Sequence, residues 1–495
     1  MALGTVLGLL VLAVGQEMPG WSRHRLLLVL GMGLTYLATL AAGDVRRVLL
    51  LSLVVAIPLN LAFAPLGKVP YHAGGASAGV VLYPYDFPLV LVIVLWLLEI
   101  LGKRKPIQFS NVDVAALLLI IWTAMSIYNS SYIRLSLFEL VRMTKLYLLS
   151  HVVASNVKRK RDIQDVVIAL AIGLIVQGVI CALQYSVGTD LGLGLFTVGD
   201  LRRLSGTIGW PNTLGAYAAT VLSVTLALWL YGARGRVRIP IGAACMAGLF
   251  SLILSFSRGA WISLLAGVAV TLFGGWRAGW LGTKSFRSFS VIALSAAMVG
   301  ALFATSITAR LGEVHPRMDV IVDRMQLNRV AMNMISAHPL LGVGINTFVD
   351  TMKRYDTTGV TYYFPQPVHN VFLLVAAETG LVALGLFLLL ILIAFRAGLQ
   401  AAKTDDRFLS ACAIGISSGL IVLVVNNVAD VHLRTDVLYA LFWLLIGLAV
   451  AIKRMTVPAV FWGYDDNAVS GVSNSDQPVA PLLLGNLQAE RPFYI

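Results

Sequence analysis

Apolar residues come in runs of about 15–25 positions, separated by short polar or basic stretches, and this spacing predicts membrane-crossing helices. A helix needs about 20 such residues to cross a hydrocarbon core ~30 Å thick. Segments 2–15, 26–42, 47–66, 86–102, 113–129, 135–153, 163–187, 212–231, 239–256, 258–273, 289–307, 369–395, 409–427 and 436–452 fit the pattern. Strands of alternating polarity are absent, so a β-barrel is not expected. The expected fold is all-α, a polytopic transmembrane helix bundle of about 12–14 spans. The sixth segment carries Glu139, Arg142 and Lys145 and is expected to be partly interfacial, with Glu139 and Arg142 paired at i, i+3.

Three regions follow: N-terminal transmembrane helices over 1–200, a core over 201–452, and a polar tail over 453–495 expected to be disordered and cytoplasmic. The core contains the one long inter-span loop, 308–368, expected to hold short helices and to carry function. No internal repeat is visible. The N-terminus lacks a basic region ahead of its apolar stretch, so 2–15 reads as a retained span, not a removed signal peptide.

Composition supports the membrane reading: 58% of the 495 residues are hydrophobic and 12% charged, against about 25% charged in soluble proteins. The net charge of +13 therefore points to topology and not to nucleic acid. Seven basic clusters lie between segments: Arg46–Arg47, Lys103–Lys105, Lys158–Arg161, Arg234–Arg238, Arg277–Arg287, Arg396–Arg407 and Lys453–Arg454. Fourteen spans with a cytoplasmic N-terminus put all seven on the cytoplasmic side of a bacterial inner membrane. Cys181, Cys245 and Cys412 sit inside apolar runs, as packing residues.

Arginines on the opposite, periplasmic side run against that rule: Arg202, Arg203, Arg258, Arg310, Arg317, Arg324, Arg329, Arg354 and Arg434. Arg258 stands out because Ser257-Arg258-Gly259 joins two apolar helices with almost no loop, and ionisable groups at membrane depth are costly. Three further segments reach the same side. They are Arg203 to Gly206 with Asn212, His338 to Gly344, and His369-Asn370 followed by Glu378-Thr379-Gly380. Arginine offers bidentate donors suited to phosphate oxygens. A histidine at a helix start can act as a base near neutral pH, and the helix terminus is expected to keep it neutral. Arginines for a pyrophosphate and a histidine for an acceptor hydroxyl make a glycosyl-transfer site. Asn212 and Asn370 are expected as helix caps or backbone brackets, and His338-Pro339 as a helix stop. Glu378 is expected to pair with a polar group of another span. No acidic cluster is expected on the periplasmic side, so no metal or other cofactor is assigned.

Arg203-Leu204-Ser205-Gly206 with Asn212, Ser257-Arg258-Gly259, His338-Pro339-Leu340-Leu341-Gly342-Val343-Gly344, His369-Asn370 and Glu378-Thr379-Gly380, in this order, resemble the motifs of the O-antigen ligase and polymerase superfamily. The resemblance covers roughly 200–395. It implies transfer of a glycan from undecaprenyl pyrophosphate to a glycan, lipid A-core or other acceptor, metal-independent and inverting, in O-antigen or exopolysaccharide assembly. It implies donor binding by Arg203, Arg258 and Arg324, catalysis by His369, and support from Gly206, Asn212, His338, Asn370 and Glu378. Asn328 departs from the pattern, which often has an aromatic there. Two other classes fit many spans: a transporter or flippase of lipid-linked sugars or small anions, and a membrane scaffold. Matched repeat halves, common in transporters, are not seen.

Overall fold

The protein is described by a computed structural model over residues 43–67, 79–103, 107–188, 196–198, 201–312 and 319–457. The expected segments 2–15 and 26–42, Arg317 and the tail beyond Val457 lie outside the described residues. The other twelve expected segments fall on helices, except that 47–66 is helical only as far as Ala56 and ends in the strand Phe63–Gly67. These are α1 (Val45–Ala56), α2 (Asp86–Lys103), α3 (Asn111–Ser126), α4 (Ile133–Asn156), α5 (Lys160–Val187), α6 (Pro211–Ala227), α7 (Arg238–Leu254), α8 (Arg258–Arg277) and α9 (Thr283–Leu302). After them come α10 (Ala304–Gly312), α11 (Asp319–Ala337), α12 (Phe348–Thr351), α13 (Val360–Tyr363), α14 (Val371–Ala401), α15 (Arg407–Asn426) and α16 (Asp436–Thr456). Two short antiparallel ribbons complete the described residues: β1 (Phe63–Gly67) with β2 (Gly79–Leu82), and β3 (Phe196–Val198) with β4 (Leu201–Arg203). The chain is an all-α polytopic bundle.

Nine helices among the described residues, α3, α5 to α9 and α14 to α16, are long and apolar enough to cross a membrane. Burial sorts them. The apolar window of α6 is 94% buried and those of α15 and α16 are 83% buried, whereas that of α9 is 11% buried. The first three make the centre, and α9 turns nearly its whole surface, Leu294, Met298 and Leu302 included, outward to lipid. Small residues set this arrangement. Val224 and Ala227 on α6 lie against Gly415 of α15, whose added Cβ would sit 2.9 Å from the Val224 carbonyl oxygen. Close backbone approach is how helices associate where lipid is as apolar as leucine.

α4 is a continuous 24-residue helix in which Glu139 and Arg142 pair with each other and Arg142 also with Asp436. Two expectations change. The long loop holds a 19-residue helix, α11, that packs along α14, and so is more than short helices. Lys453 to Thr456 continue α16, so the helix passes the expected start of the tail.

Direct contacts bring six of the seven basic clusters, all but that at 103–105, to one end of the bundle. Arg47 pairs with Asp165 at 2.6 Å and Lys160 with Asp406 at 2.6 Å. Arg238 donates to Ser288 Oγ (3.1 Å), Arg407 to the Tyr231 carbonyl (2.8 Å) and Arg454 to the Ala154 carbonyl (3.2 Å).

Candidate functional site

The opposite end is organised by a break in α14. Gly380 has φ +85° and ψ 169°, a conformation open essentially to glycine alone. A kink there removes the helical partners of the Ala377 and Glu378 carbonyls and of the Leu381 N–H. The segment His338 to Gly344 restores all three: Val343 N–H donates to Ala377 O (3.0 Å), Gly344 N–H to Glu378 O (2.9 Å), and Leu381 N–H to Pro339 O (2.8 Å). The two glycine motifs are thus halves of one backbone clip. The first third of the chain holds it from outside, with Trp122 Nε1 donating to Leu340 O (3.2 Å), Asn129 Nδ2 to Gly342 O (3.0 Å) and Ser136 Oγ to Ile345 O (2.7 Å). His338 ends α11 and its Nε2 lies 2.9 Å from the Tyr355 hydroxyl, the helix-stop role expected for it.

A Cβ at Gly380 would lie 1.9 Å from the Leu340 carbonyl oxygen, whereas one at Gly385 would meet nothing within 4 Å. Gly380→Ala is therefore expected to cost about 2–4 kcal/mol of stability. Gly385→Ala, a turn further along, should be neutral or stabilising. Thermal unfolding in detergent reads both, and equal midpoints for the two variants would dissolve the clip.

Beyond the clip, side chains converge on Asp430, in the turn between α15 and α16. Arg203 Nη2 donates to Asn212 Oδ1 (2.5 Å), and Asn212 Nδ2 donates to Asp430 Oδ2 (3.3 Å). His432 Nε2 lies 3.4 Å from the same carboxylate oxygen. His369 and Arg324 face the group as well: both help hold the Asp430 carboxyl below the usual carboxylate range, with His432 and the Val431 N–H, against the opposing effect of burial. The His369 ring is pushed below the ordinary histidine value by burial first and Arg324 second, with Asp430 acting the other way. Its Nδ1 is buried with no hydrogen-bond partner, and Phe364 stacks parallel to the ring at 6.1 Å. Asn370 caps α14, its Oδ1 accepting from Phe372 N–H (2.9 Å) and Leu373 N–H (3.1 Å), as expected.

The arginines divide. Arg203 is buried, and its Nε donates to the Ser255 carbonyl (3.0 Å), three residues before Arg258. It ties β4, α6 and the α7–α8 turn together. That turn is strained: Phe256 has φ +49°, a left-handed value costly for a phenylalanine. Arg258 opens α8 with its side chain exposed, and among the described residues no carboxylate or carbonyl accepts from it. Arg324 on α11 is half-buried, with Nη1 3.4 Å from the Ala429 carbonyl and a buried Nε without a partner. Gly206 (φ +58°) turns the chain against α5, where Gln184 Oε1 accepts its N–H at 3.0 Å. Asn212 corrects an expectation. Pro211 takes the first position of α6, Trp210 is the cap, and the Asn212 side chain reaches sideways to Arg203 and Asp430.

Glu378 lies apart from the histidine, in a buried charged network. Its Oε1 accepts from the Phe348 N–H (3.1 Å), and its Oε2 accepts from Arg434. Arg434 also donates to Asn346 Oδ1 (3.2 Å) and lies 3.8 Å from Glu139. Arg142 binds Glu139 (2.7 Å), Asp436 (3.2 Å) and the Arg434 carbonyl (2.8 Å). Glu139 and Arg142 do pair with each other, as expected, whereas the partner of Glu378 is Arg434 in the turn between α15 and α16 and not a group on another span.

Asp430, His432 and Asn427 were not singled out from the sequence. Asn427 accepts the Leu433 N–H (3.1 Å) and gives its carbonyl to the Val371 N–H (3.0 Å), so it sets the turn against the start of α14. The available signal was the density of polar groups, Asp430, His432, Arg434 and Asp436, in one short gap between apolar runs. Among the described residues no group of three or more His, Cys, Asp or Glu side chains is arranged to hold a metal ion.

The bundle, with nine described helices long and apolar enough to cross a membrane, is that of a multi-pass membrane protein, and the polar side chains gather at the end away from the basic clusters. The family model described as O-Antigen ligase matches residues 243–388, from within α7 to within α14, and so takes in Ser257-Arg258-Gly259, the clip and His369. The resemblance to the O-antigen ligase and polymerase superfamily is borne out over that stretch, and that family comprises membrane ligases and polymerases of the glycosyltransferase type. No curated protein matches the chain.

Proposed function

We propose that this protein transfers a glycan from a lipid-linked pyrophosphate donor, undecaprenyl pyrophosphate in a bacterial inner membrane, to an acceptor hydroxyl at the periplasmic face. The observation that carries the reading is His369: a half-buried ring whose pKa is pushed below the ordinary histidine value, with a buried, unpartnered Nδ1, beside Arg324 and the Asp430 carboxylate. A neutral imidazole accepts the acceptor's proton as the hydroxyl attacks the anomeric carbon. The Asp430 carboxylate stabilises the imidazolium that results. Arg258 and Arg324 bind the diphosphate and stabilise the charge that grows on it as the glycosidic bond to phosphate breaks. Arg203 is the positioning residue, holding the Ser255 carbonyl and, through Asn212, Asp430. Arginines of this kind on the face away from the basic clusters are what a phosphate donor demands and what the positive-inside rule disfavours.

The function is tested by deleting the gene and resolving the lipid-linked saccharides. Long polymers accumulating on the carrier mark a ligase, and single repeat units mark a polymerase. Unchanged pools remove the transferase reading and favour transport.

Arg258→Ala is expected to lower transfer about 10²–10³-fold, the usual loss for one donor to a developing oxyanion. The fold should persist, since Arg258 has no partner among the described residues. Arg258→Lys should recover little, because a point charge lacks the bidentate fork. Transfer assays on purified protein with a matched melting curve decide it, and near-normal product from Arg258→Ala would remove the pyrophosphate role.

A further inference from the structure

The basic end of the bundle holds a cavity of ≈ 350 Å³ between the starts of α5 and α15 and the turn after α6, lined by Lys160, Gln164, Arg234, Asp406, Arg407 and Phe408 among others. It is separate from the candidate site. Arg407 and Asn426 are the two ends of α15, whose 20 residues span ~30 Å at 1.5 Å per residue, and Asp430 lies just beyond the far end.

The lining is unbalanced in charge, three cations to one carboxylate, and that carboxylate is fully engaged. Asp406 accepts from Lys160 Nζ (2.6 Å), Phe408 N–H (3.0 Å) and Leu409 N–H (3.1 Å). Arg407 spends one donor, Nε, on the Tyr231 carbonyl (2.8 Å), and its guanidinium lies over the Trp280 ring at 5.1 Å. That contact fixes the group while leaving its terminal nitrogens without an acceptor among the described residues. Arg234 makes no side-chain hydrogen bond or ion pair among them. Two guanidinium groups thus border one polar cavity with donors to spare. A topological excess of basic residues needs only solvated surface; it does not need a cavity with an immobilised arginine at its rim.

The surroundings fix the ligand class. The cavity sits at the end of membrane-crossing helices, where anionic headgroups gather. Apolar side chains continue outward from it: Ile239, two positions after the lining residue Val237, is 75% exposed, and Leu281, next to Trp280, is 48% exposed. We propose that this pocket binds the phosphate headgroup of an anionic phospholipid from the leaflet at the basic end, with Arg234 and Arg407 as its donors. The bound lipid stitches the starts of α5 and α15 together, at the foot of the helix that carries Asp430.

The full chain in neutral detergent, titrated with phosphatidylglycerol or phosphatidylcholine under native mass spectrometry, tests this. Wild type should retain phosphatidylglycerol in preference to phosphatidylcholine. The Arg234→Gln/Arg407→Gln variant should bind it about 30-fold more weakly, since each basic group near a membrane surface is worth about fivefold. Arg234→Gln alone should show about a fivefold loss, and its fold is secure because Arg234 has no partner to lose. Arg134→Gln, on the exposed start of α4 at the other end, should change nothing. Equal retention of both lipids, or undiminished retention by the double variant, overturns the proposal. Displacement of phosphatidylglycerol by millimolar inorganic phosphate with tighter binding of the free ion reassigns the pocket to a soluble anion and overturns the lipid source.

Discussion

His369→Ala should slow glycan transfer by about 10²–10⁴, the range for loss of a positioned general base, while donor affinity changes little. The split follows from geometry. Donor contacts are assigned to Arg258 and Arg324, and the histidine to the acceptor. The pH profile sharpens the test. A base must be neutral to work, and burial and Arg324 hold the His369 pKa below the ordinary 6.5. Activity should therefore persist below that value and fall only as pH drops through the lowered pKa. Removing the positive neighbour, as in Arg324→Met, should move this acid limb upward, toward higher pH. Asp430→Asn should move it downward, because Asp430 favours the protonated ring. Donor binding that collapses in His369→Ala as far as turnover does would make His369 a ligand for the donor. A limb that ignores both neighbours would separate the pH dependence from this ring.

Arg434→Met should cost about 3–5 kcal/mol, the largest stability loss expected in the described structure. Arg434 is the partner of Glu378, lies 3.8 Å from Glu139, and donates to Asn346, so it joins α14, α4 and the clip segment through a single guanidinium. Removing one member of a buried ion pair leaves the other charge uncompensated, and that penalty exceeds what the pair itself contributes. Glu378→Gln in the same chain removes the stranded charge and should recover a good part of the loss. A double-mutant cycle on thermal unfolding measures the coupling. Independent, additive effects would mean the network does not bind these elements together. The expected consequence for function is indirect. His432 lies two positions before Arg434, so loosening the arginine loosens the turn that presents Asp430.

The helices were legible because a membrane leaves so little choice. Backbone groups in hydrocarbon must be paired within the segment, so each long apolar run is a helix almost wherever it packs. Eleven of the twelve expected segments that fall on described residues are helical along nearly their whole length for that reason, and 47–66 is helical as far as Ala56 before it leaves the helix for β1. Local chemistry was legible on the same terms. Asn370 caps α14, and Glu139 pairs with Arg142 one turn on, because both interactions are closed within a few residues. Asn212 shows the limit. Its residue type suits a cap, but Pro211 takes the first helical position, and Arg203 and Asp430, nine residues before and 218 after, claim its side chain.

The motifs within 243–388 fall inside the family match as a set, and their parts were legible only incompletely. Gly342 and Gly380 are easily seen as positions that need glycine. That one fits into the break made by the other is invisible in one dimension, since the 37 residues between them carry no trace of the three hydrogen bonds that join the two segments. Asp430 was passed over because a lone carboxylate in a short turn is ordinary. It becomes central only when α6, α11 and the start of α14 deliver Asn212, Arg324 and His369 to it. By itself the sequence determined the membrane bundle, its basic end and the list of chemically capable residues, because hydrophobic burial and charge placement act along the chain. Only the tertiary structure decided which arginine is committed to backbone and which is free, and which carboxylate faces the histidine. Those outcomes rest on distances between helices, which packing fixes and local sequence does not.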